Sequence, residues 1–156
     1  MLPKAVLDPG IFNRWGPDFA VEHGLVLACN DGAVMTVGFG HRYPSVEVWS
    51  TSRVDQPWRV DDEGIDAVSD LLHAAHVAVS DDVPANEEWH YRPMGTGVPV
   101  PWRIILKLRT STLAGFEGGT KIYVNTISPT TLAAMLLPKL FEARAAGRIA
   151  AMNLGG

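Results

Sequence analysis

The run Glu87-Glu88-Trp89-His90-Tyr91-Arg92-Pro93 holds the densest group of reactive side chains in the sequence. On an extended strand side chains alternate, so Glu88, His90 and Arg92 share one face and Trp89 and Tyr91 the other. A carboxylate, an imidazole and a guanidinium in one row are costly to bury without partners. Such a row suits an anionic substrate. Arginine neutralises a phosphate, histidine attacks or transfers a proton, and glutamate orients the imidazole. The bland reading of the same row is an edge strand whose polar face meets solvent.

Other groups can join that row. In Arg103-Ile104-Ile105-Leu106-Lys107-Leu108-Arg109 the odd positions put Arg103, Lys107 and Arg109 on one strand face. The stretch Gly115-Phe116-Glu117-Gly118-Gly119-Thr120 has neither the spacing nor the following lysine-serine pair of a phosphate-binding loop. Glycines flanking Glu117 instead let backbone and carboxylate approach a ligand closely, and a carboxylate there can accept hydrogen bonds from sugar hydroxyls. The alternative is a hairpin turn with Glu117 in solvent. His73 and His76 are spaced to share a metal on a helix, but no carboxylate or cysteine is placed to complete the site, so no metal is expected. Cys29 sits in an apolar run without a basic neighbour and reads as a small hydrophobe.

These groups must be positioned by regular elements. Leu25–Cys29 and Ala33–Phe39 are β-prone runs separated by Asn30-Asp31-Gly32, residues that tolerate positive φ and mark a hairpin. Ser45–Ser50 alternates, with Val46 and Val48 on one face and Glu47 and Trp49 on the other. From Asp61 to Val79 the spacing turns helical, with Ile65, Val68, Leu72, Ala75 and Val79 on one stripe and Asp61, Asp62 and Glu63 at the start. Strands are expected around Glu87–Arg92, over Trp102–Thr110 and over Thr120–Val124. Ser128-Pro129 opens a last helix, Gly147 closes it, and Pro138 should kink or break it. Residues 1–23 look irregular, with Phe12, Trp15 and Phe19 draped on the core. Strands, helix, strands, helix with short connections predict one α+β domain, an antiparallel sheet with packed helices.

The chain has 156 residues, about one domain's length, and its 47% apolar content argues against disorder. Thirteen basic against seventeen acidic side chains leave a formal charge of −4, which disfavours nucleic acid as a partner. No segment reads as a spanning helix or a signal peptide, so no membrane association is expected. The single cysteine cannot form an internal disulfide, and a reducing cytoplasm is the default expectation.

From Leu25 to Ala146 the order of motifs resembles the C-terminal half of galactose-1-phosphate uridylyltransferases, a histidine-triad-like family. Tyr43-Pro44-Ser45-Val46-Glu47 followed by Asp61–Val79 is similar to that family's aromatic-proline-glutamate strand and acidic-capped helix. Glu88-Trp89-His90-Tyr91-Arg92-Pro93 is similar to its histidine-x-histidine-aromatic-x-proline strand, with Glu88 at the first histidine and His90 at the second. Gly115-Phe116-Glu117 resembles its hexose-binding motif, and a proline-led helix closes both. The resemblance implies a phosphorylated sugar, nucleotide or nucleotide sugar as ligand, and a homodimer; no cofactor is expected. It implies nucleotidyl or phosphoryl transfer or hydrolysis through His90, with Glu88 and Arg92 in support. Arg103, Lys107, Glu47, Glu117 and Phe116 would bind substrate. The rivals are a non-catalytic ligand- or partner-binding domain, and a recruited biosynthetic enzyme using the pocket for non-phosphate chemistry.

Overall fold

The computed structural model describes residues 4, 8, 10–110 and 115–155. Its helices are α1 (Ile11–Arg14), α2 (Pro17–Glu22), α3 (Asp62–Val79), α4 (Gly115–Thr120) and α5 (Pro129–Ala145). Its strands are β1 (Val26–Cys29), β2 (Ala33–Val37), β3 (Ser45–Ser50), β4 (Ala85–His90), β5 (Arg103–Leu108) and β6 (Asn153–Leu154). They form one sheet in the order β4-β5-β3-β2-β1-β6, every neighbouring pair antiparallel. The expected α+β architecture is therefore present. Among the described residues no helix is long and apolar enough to cross a membrane.

α3 and α5 pack on each other and on one face of this sheet. Met35, Val37, Val46, Val48, Ile104 and Leu106 meet them from the strands, together with Leu71 and Leu140 from the helices. The buried stripe of α3 is Val68, Leu71, Ala74, Ala75, Ala78 and Val79. This corrects the expected stripe, since Ile65 is exposed and Leu72 only half-buried. Small alanines let the helix lie close to the strands, and that decides which side turns inward. Asp61 caps α3, its carboxylate accepting from Gly64 N at 3.0 Å, and Ser128 caps α5 by accepting from Thr131 N at 3.1 Å.

Four further expectations are corrected. Residues 11–22 are largely helical, where an irregular segment was expected; Gly16 lets them press on Trp49, since a Cβ there would lie 2.5 Å from its ring. No strand forms at Thr120–Val124, because α4 ends there and the chain continues irregularly. Pro138 leaves α5 unbroken. It and Ala134, whose carbonyl loses its partner, are both exposed, so water replaces the missing bond. The β1–β2 turn forms without positive φ at Asn30, Asp31 or Gly32. The Asn30 side chain shapes it instead: Oδ1 accepts from Gly32 N (3.1 Å) and Ala33 N (2.8 Å), and Nδ2 donates to Ala67 O of α3 (2.8 Å).

Two stability changes follow. Asn30→Ala removes all three bonds and should cost about 1–3 kcal/mol, read as a lower urea midpoint at unchanged slope; an unchanged midpoint would show that the turn does not depend on this side chain. Pro138→Ala restores a backbone bond and helix propensity and should gain about 1–3 kcal/mol in the same titration, whereas a loss would mean that the proline is an integral part of the helix packing.

Candidate functional site

Antiparallel pairing sets cross-strand neighbours side by side on one face. Opposite the helices the ladders give three rows: Asn86, Lys107 and Ser45; then Glu88, Ile105, Glu47 and Thr36; then His90, Arg103, Trp49 and Val34. Three strands thus gather Glu88, His90, Arg103, Lys107 and Glu47 on one surface.

Glu47 is the buried charge of this surface, 5% exposed. An ionised carboxylate at that depth needs charged or hydrogen-bonding partners. It has two: His41 Nε2, in direct hydrogen-bond contact with Oε1, and Arg103 Nη1, 3.5 Å from Oε2. The loop before β3 delivers His41, and Gly38 leaves room for it, since a Cβ there would come within 2.8 Å of its ring. The Arg103 guanidinium carbon also lies 4.4 Å from the Trp49 ring centroid, a cation–π contact that holds the fork flat. Glu88 accepts from Lys107 Nζ at 2.6 Å and stands 3.4 Å from His90 Nε2. The lysine bond holds the Glu88 carboxyl below its ordinary range, more than burial raises it.

The His90–Arg103 corner opens into a cavity of about 310 Å³ lined by Phe12, Trp49, His90, Tyr91, Val100 and Arg103 together with two prolines. It offers what a small anionic ring compound needs: two nitrogen-rich heads on one wall and aromatic surfaces on the others. α1 supplies Phe12, so the N-terminal segment closes one side.

Arg92 departs from the expected row. β4 ends at His90, the Arg92 N–H donates to Asp55 O at 3.0 Å, and its Nε lies 3.1 Å from the Asp55 carboxylate. That anchor takes Arg92 off the ladder, and with pairing lost Tyr91 lines the same cavity as His90. Arg109 likewise lies beyond β5 and stacks on Tyr43. Glu117 sits on α4, accepts from Val124 N at 2.9 Å, and is not among the residues lining this cavity. Phe116 is part of α4, with its side chain outside the described residues. His76 Nε2 is 2.8 Å from Glu87 Oε1, and among the described residues no three metal-ligating side chains converge. The sequence reading missed His41 and Phe12, which reach the site through loop and helix contacts that strand alternation does not encode.

Solved structures of low sequence identity share this architecture. An ADP-glucose phosphorylase from Arabidopsis thaliana, with bound ADP-glucose, is 20% identical with a TM-score of 0.68 over 76% of this chain and 41% of its own. A uridylyltransferase is 15% identical with a TM-score of 0.69 over 90% of this chain and 51% of its own. A GalT-like protein from Arabidopsis thaliana is 18% identical with a TM-score of 0.65, over 77% and 43%. This chain therefore has their histidine-triad-like fold and spans about half of their length or less. No curated protein sequence matches it. A family model covers residues 3–155, and by that match the chain belongs to the family described as a domain of unknown function (DUF4921).

Proposed function

We propose that the chain binds a phosphorylated small molecule of the nucleotide or nucleotide-sugar class at the His90–Arg103 corner. The observation that carries this reading is the cross-strand pair itself, an imidazole and a guanidinium side by side on an aromatic-walled cavity. Arg103 meets the phosphoryl oxygens, exchanging its long contact with Glu47 for a shorter charge-assisted one. Trp49 and Tyr91 flank the ring of the ligand. The structural neighbours named as a phosphorylase with ADP-glucose and a uridylyltransferase support this ligand class by fold. On the resemblance, Glu117 is assigned to the sugar hydroxyls and Phe116 to packing on the ring, and the segment after α4 is tied to the site through Asn125 Nδ2, which donates to His41 O at 3.4 Å.

Transfer or hydrolysis through His90 extends the reading. An imidazole nitrogen would form a bond to phosphorus as the leaving group departs with its electron pair. An acceptor hydroxyl or water would then break that bond and free the imidazole. Glu88 would orient the ring, and Arg103 and Lys107 would offset phosphoryl charge. A non-catalytic binding domain is the second reading. It is favoured by the carboxylate pairing of Lys107, Arg103 and Arg92, which holds them in place without any ligand.

Nucleotides and sugar phosphates should raise the melting temperature of the wild-type protein, and Arg103→Ala should weaken the affinity by at least about tenfold. The absence of a shift with every phosphorylated ligand would reject the site. For the chemistry, His90→Gln should abolish turnover while retaining ligand affinity, and turnover surviving both His90→Gln and His90→Ala would exclude the histidine. We further propose a homodimer: edge strand β4 carries Trp89 (51% exposed), and Trp58 (61%) and Met94 (92%) are further exposed apolar side chains that a second copy would cover. Light scattering at micromolar concentration should return twice the 16.9 kDa chain mass, and a monomer would refute the dimer.

A further inference from the structure

We infer a second anion site, formed by Arg42 and Arg109 where they converge on Tyr43, that takes a phosphoryl group at the end of β5 remote from Arg103. Arg42 lies in the loop leading to β3, and its guanidinium carbon stands 4.9 Å from the Tyr43 ring centroid and 4.2 Å from that of Tyr123. Arg109 reaches the same Tyr43 ring from beyond β5, at 5.4 Å. The backbone holds the end of β5 against the loop that carries Tyr43: Leu108 N donates to Pro44 O at 2.9 Å, and Arg109 N donates to Pro84 O at 2.7 Å.

Three observations turn this cluster into a site. Among the described residues neither guanidinium has a carboxylate within ion-pair distance, whereas Arg92, Arg103 and Lys107 each have one. The chain carries a formal charge of −4, so two adjacent unpaired cations run against its overall balance. The Arg42 Nε–H is enclosed and has no hydrogen-bond acceptor among the described residues, an unsatisfied donor within the cluster. Both guanidinium carbons stand within 5.4 Å of one ring centroid, a separation comparable to the Debye length of ~8 Å at physiological salt, so the two like charges repel. An oxyanion between them removes the repulsion.

The geometry favours a phosphoryl group over a carboxylate. A carboxylate presents two oxygens in one plane and suits one guanidinium fork, while a tetrahedral phosphoryl group offers oxygens to two forks in different planes. Stacking on Tyr43 and Tyr123 fixes the forks beforehand, so little side-chain freedom is lost on binding. Arg109 is exposed, which leaves an entrance from solvent. The inference does not depend on the His90–Arg103 reading, because the two sites lie beyond opposite ends of β5.

The test is an NMR titration of the whole chain with inorganic pyrophosphate, following the arginine Nε–H signals, with malonate as a parallel arm. The Arg42 and Arg109 signals should move with pyrophosphate and saturate at a concentration at least tenfold lower than with malonate. Arg109→Gln, at an exposed position, should weaken the response of Arg42 at least tenfold. The Trp49 indole signal reports the other cavity separately, so movement there alone would overturn this site and leave the first reading standing. Unmoved Arg42 and Arg109 signals, an unchanged affinity in Arg109→Gln, or equal affinity for malonate would each overturn it.

Discussion

The polar half of this molecule is organised around one buried carboxylate. Glu47 projects from β3 into the sheet surface at 5% exposure, and its carboxylate is held by a hydrogen bond to His41 from a loop and by Arg103 from the neighbouring strand. Breaking such a set by removing one partner leaves the others buried and uncompensated, which costs several kcal/mol (roughly 3–5). The constraint therefore fixes more than one residue. With Arg103 held by Glu47 and laid on Trp49, the corner beside His90 acquires a definite shape before any ligand arrives.

Charge on this surface is paired in small closed sets: Lys107 with Glu88, Arg103 with Glu47, Arg92 with Asp55. Such pairing keeps the empty face stable, and it leaves cations a ligand can recruit by exchange. The longest of these contacts, at 3.5 Å, belongs to Arg103. It is the pair most easily given up to a phosphate, because a longer and less ideal hydrogen bond contributes less.

The elements that alternation and capping encode were legible in the sequence. β3, β5, the Asp61-capped helix and the Ser128-Pro129 start all follow from local pattern, and with them the face shared by Glu88, His90, Arg103, Lys107 and Glu47. What was illegible came from contacts between distant segments. Arg92 follows the period-two rule in sequence, but the Asp55 backbone and carboxylate pull it off the ladder. Thr120–Val124 has the residue types of a strand but pairs with no strand among the described residues, so propensity alone did not make it one. His41 carries no periodic signal, and its place is set by the space that Gly38 leaves for its ring and by the carboxylate it answers.

The central claim is that a phosphorylated ligand docks against the His90–Arg103 pair. A crystal structure of the protein grown with ADP-glucose tests it most directly. The account predicts phosphoryl oxygens at about 2.7–3.0 Å from the Arg103 guanidinium, the His90 ring beside them, and an aromatic wall of Trp49 and Tyr91 along the ligand. A ligand bound elsewhere, with Arg103 still on Glu47 and the cavity empty, would contradict it.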